Sequence, residues 1–432
     1  MSDTNSLPTN QKRHRRGWYL FDFANSVLVI NGSLYFPQWI VGADNNASDL
    51  WFNLTFVMSS LILLAFAPLI GLVADRTGNR FGYLKTTSIG LIISGAVVGI
   101  APIIANRDTR VTIALVAFFF VLVFYQLSLV FYNSMLDAVT DSENDLRRSG
   151  FGLAFGWLGG VVAIFFGLIF TKGLLPSIGQ AGMASILPSA IVAGLLTAIA
   201  LWMMRDVDVT RSNQSLVDQS PAPVKTAFRV LLSNRATLLF LISYLLFSDA
   251  ILTLQNNSTI FMDQVHKFSD DAKAYLFLLV LATGALGALA VTFVANAIGL
   301  MKTLRLVLVG WIFVTVASGL VADQLHFVIL FGVMGVLNGA IWSVARVMFH
   351  RLVDDKIRNA SFGIYSTFER FASILGPLAW SAFLYFGNGK ERYQFAWAAM
   401  SLFIVASLLV LSFSPSARQK SDSVPANSNR GA

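Results

Sequence analysis

The 432-residue sequence has no cysteine, only four histidines, and charge on just 12% of its residues. Without cysteine there is no disulfide framework and no thiolate metal site. His14, His266, His326 and His350 stand far apart with no ligand spacing, so no metal centre is expected. A soluble protein of this length needs far more surface charge, so the scarcity of charge excludes a water-soluble globule. There is no G-x-x-x-x-G-K-[ST] run and hence no ATP-binding loop. No Ser/His/Asp set or carboxylate pair suggests catalysis, so neither an enzymatic activity nor a cofactor is expected.

What the chain does have is apolar mass. Hydrophobic residues make up 56% of it, with 36 Phe and 9 Trp, and the mean hydropathy is +0.67. Long apolar runs, broken by charge and Gly/Pro clusters, give about twelve candidate membrane spans of roughly 20 residues each. They lie near 18–41, 51–74, 84–105, 111–133, 150–171 and 183–204, then 236–262, 274–299, 304–321, 327–350, 361–386 and 394–413. The expected fold is therefore an all-α membrane protein. Residues 1–17 read as a basic, disordered cytoplasmic tail and 18–204 as a first six-helix bundle. Residues 205–235 form a connector, 236–414 a second six-helix bundle, and 415–432 a disordered tail.

Charge placement sets the orientation. Lys and Arg gather in the N-terminal tail, the 205–235 connector and the loop after the second span, while 41–50 and 323–326 carry none. By the positive-inside rule both termini face the cytoplasm, and the net charge of +8 is a topology signal, with no nucleic-acid partner implied. Residues 1–16 are polar and basic, and the apolar run behind them is too long for a cleavable signal. The connector RDVDVTRSNQSLVDQSPAPVKT is polar and Pro-punctuated. Val224, Phe228, Leu231 and Leu232 at its end fit a short helix on the inner membrane surface, or equally an extension of span seven.

The halves echo each other. YLFDFANS in span one matches YLLFSDAILT in span seven, and SMLDAVTDSENDLRRSGFG between spans four and five matches VMFHRLVDDKIRNASFG between spans ten and eleven. Duplicated six-span halves place a cavity near the midplane, where a charge is kept from lipid.

After span two comes GLVADRTGNR, Gly71 to Arg80. It resembles the G-x-x-x-D-R-x-G-x-[RK] signature of the major facilitator superfamily, in residues, spacing and topological place. Gly71 and Gly78 permit a tight turn. The resemblance implies that Asp75, Arg76 and Arg80 form a latch closing the cytoplasmic side, with Asp75 at the start of span eleven. The second-half counterpart, TFVANAIGLMK, carries Asn296 and Ala297 in place of the Asp-Arg pair. YLFDFANS, FYNSMLDAV, RRSGFGLAFGWLGG, GAIWSVARVMF and SFGIYSTFERFASILGPLAW together resemble the vacuolar amino-acid effluxer-like family of the autophagy-related type. This implies export of small, amino-acid-like solutes; the expectation is a secondary transporter, coupled to protons through its intramembrane acids, acting as a monomer in the inner (cytoplasmic) membrane of a bacterium. Two other readings stand beside it: efflux of drugs or amphipathic metabolites by the same fold, and a membrane sensor or scaffold that transports nothing.

The residues that bear on chemistry are few. An ionised carboxylate in hydrocarbon costs about 3 kcal/mol, so each intramembrane acid needs a reason. Asp22 and Asn25 share one face of span one. They bind substrate or a proton, or Asp22 pairs with Arg15 or Arg16 near the cytoplasmic mouth. Asp249 has no basic residue within ten positions. It suits reversible protonation with Thr253 and Asn256 on its face, or a structural ion pair with Arg346. Arg346, with Asn338 and Trp342 on preceding turns, would hold a substrate carboxylate or snorkel to the inner surface. Glu369 in span eleven is a third candidate for coupling, or a structural partner of nearby arginines. Gln126 lines the cavity or bonds between helices. Gly152, Gly156 and Gly160 in span five form a smooth packing face.

Overall fold

The computed structural model describes residues 9–77, 79–135, 145–175, 181–205, 229–353, 365, 368 and 371–413. The first half comprises α1 (Thr9–Val41), α2 (Asp49–Thr77), α3 (Arg80–Ile100), α4 (Arg107–Ser134), α5 (Asp145–Thr171) and α6 (Ile186–Met204). The second half comprises α7 (Arg235–Phe261), α8 (Asp270–Ile298), α9 (Leu300–Leu320), α10 (Gln324–Leu352), α11 (Leu375–Phe383) and α12, which runs as Gly389–Ala399 and Ser401–Ser412 joined at Met400. A π-helical turn, Met262–His266, extends α7. Short polar side chains start many of these helices. Asn79, Asn234, Ser269 and Asp323 accept from the first free N–H groups of α3, α7, α8 and α10, which is the capping role these residue types fill best.

Among the described residues, nine helices are long and apolar enough to cross a membrane, and shorter apolar helices cover Leu158–Thr171 and Leu375–Phe386. Their outer surfaces carry large exposed apolar side chains such as Phe293, Phe313 and Leu195, which only lipid can cover. α1 is not among the nine, and the reason is informative. Its Asn25, Asn31 and Gln38 are all buried, and it lies packed along both α5 and α6. A helix wrapped by protein can carry polar residues at membrane depth without exposing them to hydrocarbon. α1 also starts at Thr9, ahead of its apolar part. KRHRR is made largely of straight-chain helix formers and follows Pro8, so nothing in it ends the helix.

The packing inside the two halves matches. α1 meets α5 and α6, α3 meets α4 and α6, and α2 meets α4. In the second half α7 meets α11 and α12, α9 meets α10 and α12, and α8 meets α10. Across the seam α1 meets α7, α2 meets α11 and α5 meets α8. The last two pairings exchange when the halves are swapped, as an internal two-fold axis requires.

Candidate functional site

The seam between the halves holds the polar chemistry. At the end of the bundle remote from the N-terminus, four pairs among the described residues cross it. The Gln38 amide of α1 donates to Asp270 Oδ1 at the start of α8, at 2.8 Å. Lys172, just after α5, meets Asp271 at 2.5 Å. Asn53 of α2 and Asn257 of α7 exchange amide hydrogen bonds of 3.2 and 3.0 Å, both side chains being fully buried. Tyr393 Oη of α12 donates to Asp49 Oδ2 of α2 at 3.0 Å, and Arg392 donates to the same Oη at 3.1 Å. Beside them opens a polar cleft of about 540 Å³ lined by Asp49, Asp263, Lys267, Arg392 and Tyr393. Both of the non-glycine residues with left-handed backbone among the described residues, Asn46 (φ 45°) and Lys267 (φ 55°), lie on its wall.

Deeper in, Asp249 of α7 is buried and its Oδ2 accepts the Gly376 N–H at 2.8 Å. Gly376 is the second residue of α11, which begins only after a non-helical turn at 372–374. A carboxylate facing a helix N-terminus is favoured by the backbone dipoles there. Only glycine fits at 376: a Cβ would lie 2.1 Å from Thr253 Oγ1 and 2.8 Å from Asp249 Oδ1. Those two oxygens are buried and have no hydrogen-bond partner among the described residues. The alternative of an Asp249–Arg346 ion pair is not what forms. Arg346 is exposed on α10 and has no hydrogen bond or ion pair with a described residue.

Asn338 and Trp342 do come together. Asn338 Oδ1 accepts from Trp342 Nε1 and from Gln255 Nε2, both at 2.9 Å. Gln255, which the sequence reading left out, thus ties α7 to α10. Asn256 is half-buried and forms no such bond; the residue that reaches across the seam is its neighbour Asn257. Asp22 is half-buried and turned toward α5, where a Cβ on Gly156 would lie 2.4 Å from Asp22 Oδ2. No ion pair joins Asp22 to Arg15 or Arg16. Asn25, one turn on, is buried with both amide atoms lacking a partner among the described residues. The glycines of α5 therefore make more than a smooth face: Gly156 is the notch for the Asp22 carboxylate, and Gly159 lies against the Phe23 carbonyl. Gln126 is half-buried on α4. Of the expected cytoplasmic latch, Arg80 opens α3 behind the Asn79 cap. The surroundings of Gly71 and the side chains of Asp75 and Arg76 lie outside the described residues, as do Gly78 and Glu369.

Two matching helical halves, an apolar exterior and a polar seam with buried acids are the architecture of a multi-pass membrane transporter of the major facilitator type. The chain belongs to the family described as vacuole effluxer Atg22 like, which it matches over residues 41–424. It is 24% identical over 418 residues to the uncharacterized MFS-type transporter YxiO of Bacillus subtilis (strain 168), covering 93% of this chain and 95% of that one. Among solved structures, a bacterial homolog to the human lysosomal transporter Spinster, in an inward-facing and unoccupied conformation, superposes with a TM-score of 0.71 at 14% identity, over 95% of this chain and 98% of that one. The nucleoside transporter NupG gives 0.70 at 14% identity, over 92% and 98%. At these identities the solved structures share the fold.

Proposed function

We propose that this protein is a secondary active transporter that moves a small, amino-acid-like solute out of the cytoplasm by alternating access, coupled to protons. The observation that carries the reading is the seam itself. Among the described residues, the side-chain pairs between the halves are separable and gathered at one end, the arrangement that two rocking bodies need. With both termini on the cytoplasmic side, as the basic residues favour, that end faces outward and the described state is sealed to the outside. Asp75, Arg76 and Arg80 would latch the opposite end when the outer one opens.

Coupling falls to Asp249, with Asp22 as a second acid and Glu369 as a third. The charged form of Asp249 holds Gly376 and with it the start of α11, which packs against α2 of the other half. Taking up a proton weakens that hold, because a neutral carboxyl gains less from the backbone N–H and the helix dipole. The charge on one side chain is thereby linked to the seam. Asn25, Gln126, Asn256, Asn338, Trp342 and Arg346 would shape the solute site, with Arg346 taking a substrate carboxylate.

The test is flux in proteoliposomes, with a pooled set of amino acids and metabolites read by mass spectrometry, with and without a pH gradient. A solute moved only with the gradient names the substrate. Asp249→Asn should then abolish gradient-driven accumulation while solute exchange continues. A fully active Asp249→Asn removes proton coupling through this residue, and an inert but folded and correctly inserted protein favours the sensor reading.

A further inference from the structure

Lys273 is the only lysine buried among the described residues, at 1% exposure. It sits in the first turn of α8, near a membrane interface, where a lysine normally extends its ammonium into water. Here the ammonium points inward instead. Nζ lies 3.1 Å from Asp263 Oδ1 and 3.4 Å from Asp270 Oδ1. Asp263 belongs to the π-helical turn after α7, so Lys273 pins that turn to the start of α8. Removing an ammonium from water is unfavourable unless close partners compensate, so its burial between two acids calls for a reason.

The position of those acids supplies one. Asp270 Oδ1, which meets Lys273, also accepts from Gln38 of the first half. The next residue, Asp271, receives Lys172 of the first half. One buried ammonium thus stands directly behind one of the described pairs that cross the seam and one residue away from a second. Without it, Asp263 and Asp270 would face each other as like charges, and their repulsion would turn Asp270 away from Gln38.

We propose that Lys273 is a positioning residue of the transport cycle: it holds Asp270 against Gln38, next to the Asp271–Lys172 pair, and so sets how firmly the far end of the seam is sealed without crossing the seam itself. The inference rests on the alternating-access reading above. A lysine that merely stapled α7 to α8 would change stability and leave the seam where it was.

The cysteine-free chain makes the test direct. Spin labels at Asp44→Cys and Leu325→Cys, both exposed and on opposite halves at the far end, report the seam distance in nanodiscs. Lys273→Met is expected to raise the ratio of open to sealed molecules about tenfold, equal to about 1.4 kcal/mol. Lys273→Met with Asp263→Asn, which removes the like-charge pair, should return most of that shift. Should Lys273→Met fail to fold, Asp263→Asn alone decides. It leaves the ammonium to Asp270, so the open fraction should fall. A lower melting temperature with an unchanged distance distribution in these variants overturns the proposal. If the distribution also stays fixed when Gln38→Leu and Asn257→Ala remove seam pairs, the alternating-access reading itself fails.

Discussion

Asn53 and Asn257 offer the sharpest perturbation of the seam. Each amide donates to the other's Oδ1, at 3.2 and 3.0 Å, and each also donates to a carbonyl one turn back on its own helix. Asn257→Ala removes both cross-seam bonds and leaves Asn53 Oδ1 without a donor in a buried site. Two bonds of about 1 kcal/mol net each make the sealed state about 2 kcal/mol less favourable, since in the open state water satisfies Asn53. At 1.4 kcal/mol per tenfold, the ratio of open to sealed molecules should rise about 30-fold. The same label pair, Asp44→Cys and Leu325→Cys, reads this shift. The double variant Asn53→Leu with Asn257→Leu carries the opposite sign. Both polar partners are gone, the shapes are close, and the new apolar contact loses area to water when the seam opens, so the sealed state should be over-stabilised and turnover should fall. If single and double variants shift the distances in the same direction, the pair does not act as a separable seam contact and the reasoning is wrong.

Two further substitutions probe the acids. Gly156→Ala places a methyl 2.4 Å from Asp22 Oδ2, so the carboxylate must leave its notch. Transport should fall as far as in Asp22→Asn, with only about 1–3 kcal/mol lost in stability by thermal unfolding in detergent; full transport would show that the position of Asp22 is immaterial. Tyr393→Phe deprives the buried Asp49 carboxylate of its 3.0 Å donor. A hydrogen bond to a charged group contributes about 1.5–3 kcal/mol, so the open fraction should rise by at least about tenfold, and an unchanged seam distance would exclude this pair from the seal.

Local features were legible in the sequence and distant pairings were not. The apolar runs that became helices and the absence of a basic residue near Asp249 are each read within about ten to twenty residues, where spacing carries information. The far-end pairs join residues 204, 232 and 344 positions apart, and no local period relates them. Asn256 shows the limit of periodicity. It falls on the Asp249 face at i+7, yet Asn257, about 100° further round the helix, crosses the seam because the direction of contact is set by α2. A signal for the break before α11 was present in GPLAW, since Pro377 favours the first turn of a helix over its interior. What could not be read is that Gly376 beside it would offer its N–H to Asp249.

The polarity of the seam fits what the proposed alternating access demands. Both end states must be populated, so they have to lie within a few kcal/mol of each other. An apolar seam burying about 400 Å² would favour closure by about 10 kcal/mol at 25 cal/mol per Å², and the protein would stay shut. Polar pairs behave differently, because each bond broken on opening is replaced by one to water, leaving less than about 1 kcal/mol for an exposed ion pair and about 1.5–3 kcal/mol for a buried bond to a charged group. Lys172–Asp271, with Lys172 46% exposed, lies at the weak end of this range. Asp49–Tyr393 and Asn53–Asn257, both buried, lie at the strong end. On the proposed cycle, a graded set of such pairs sums to a seal firm enough to exclude solvent and weak enough for one protonation at the proposed coupling residue Asp249 to release, and replacing even two of its members by leucine should tip the balance toward a permanently closed protein.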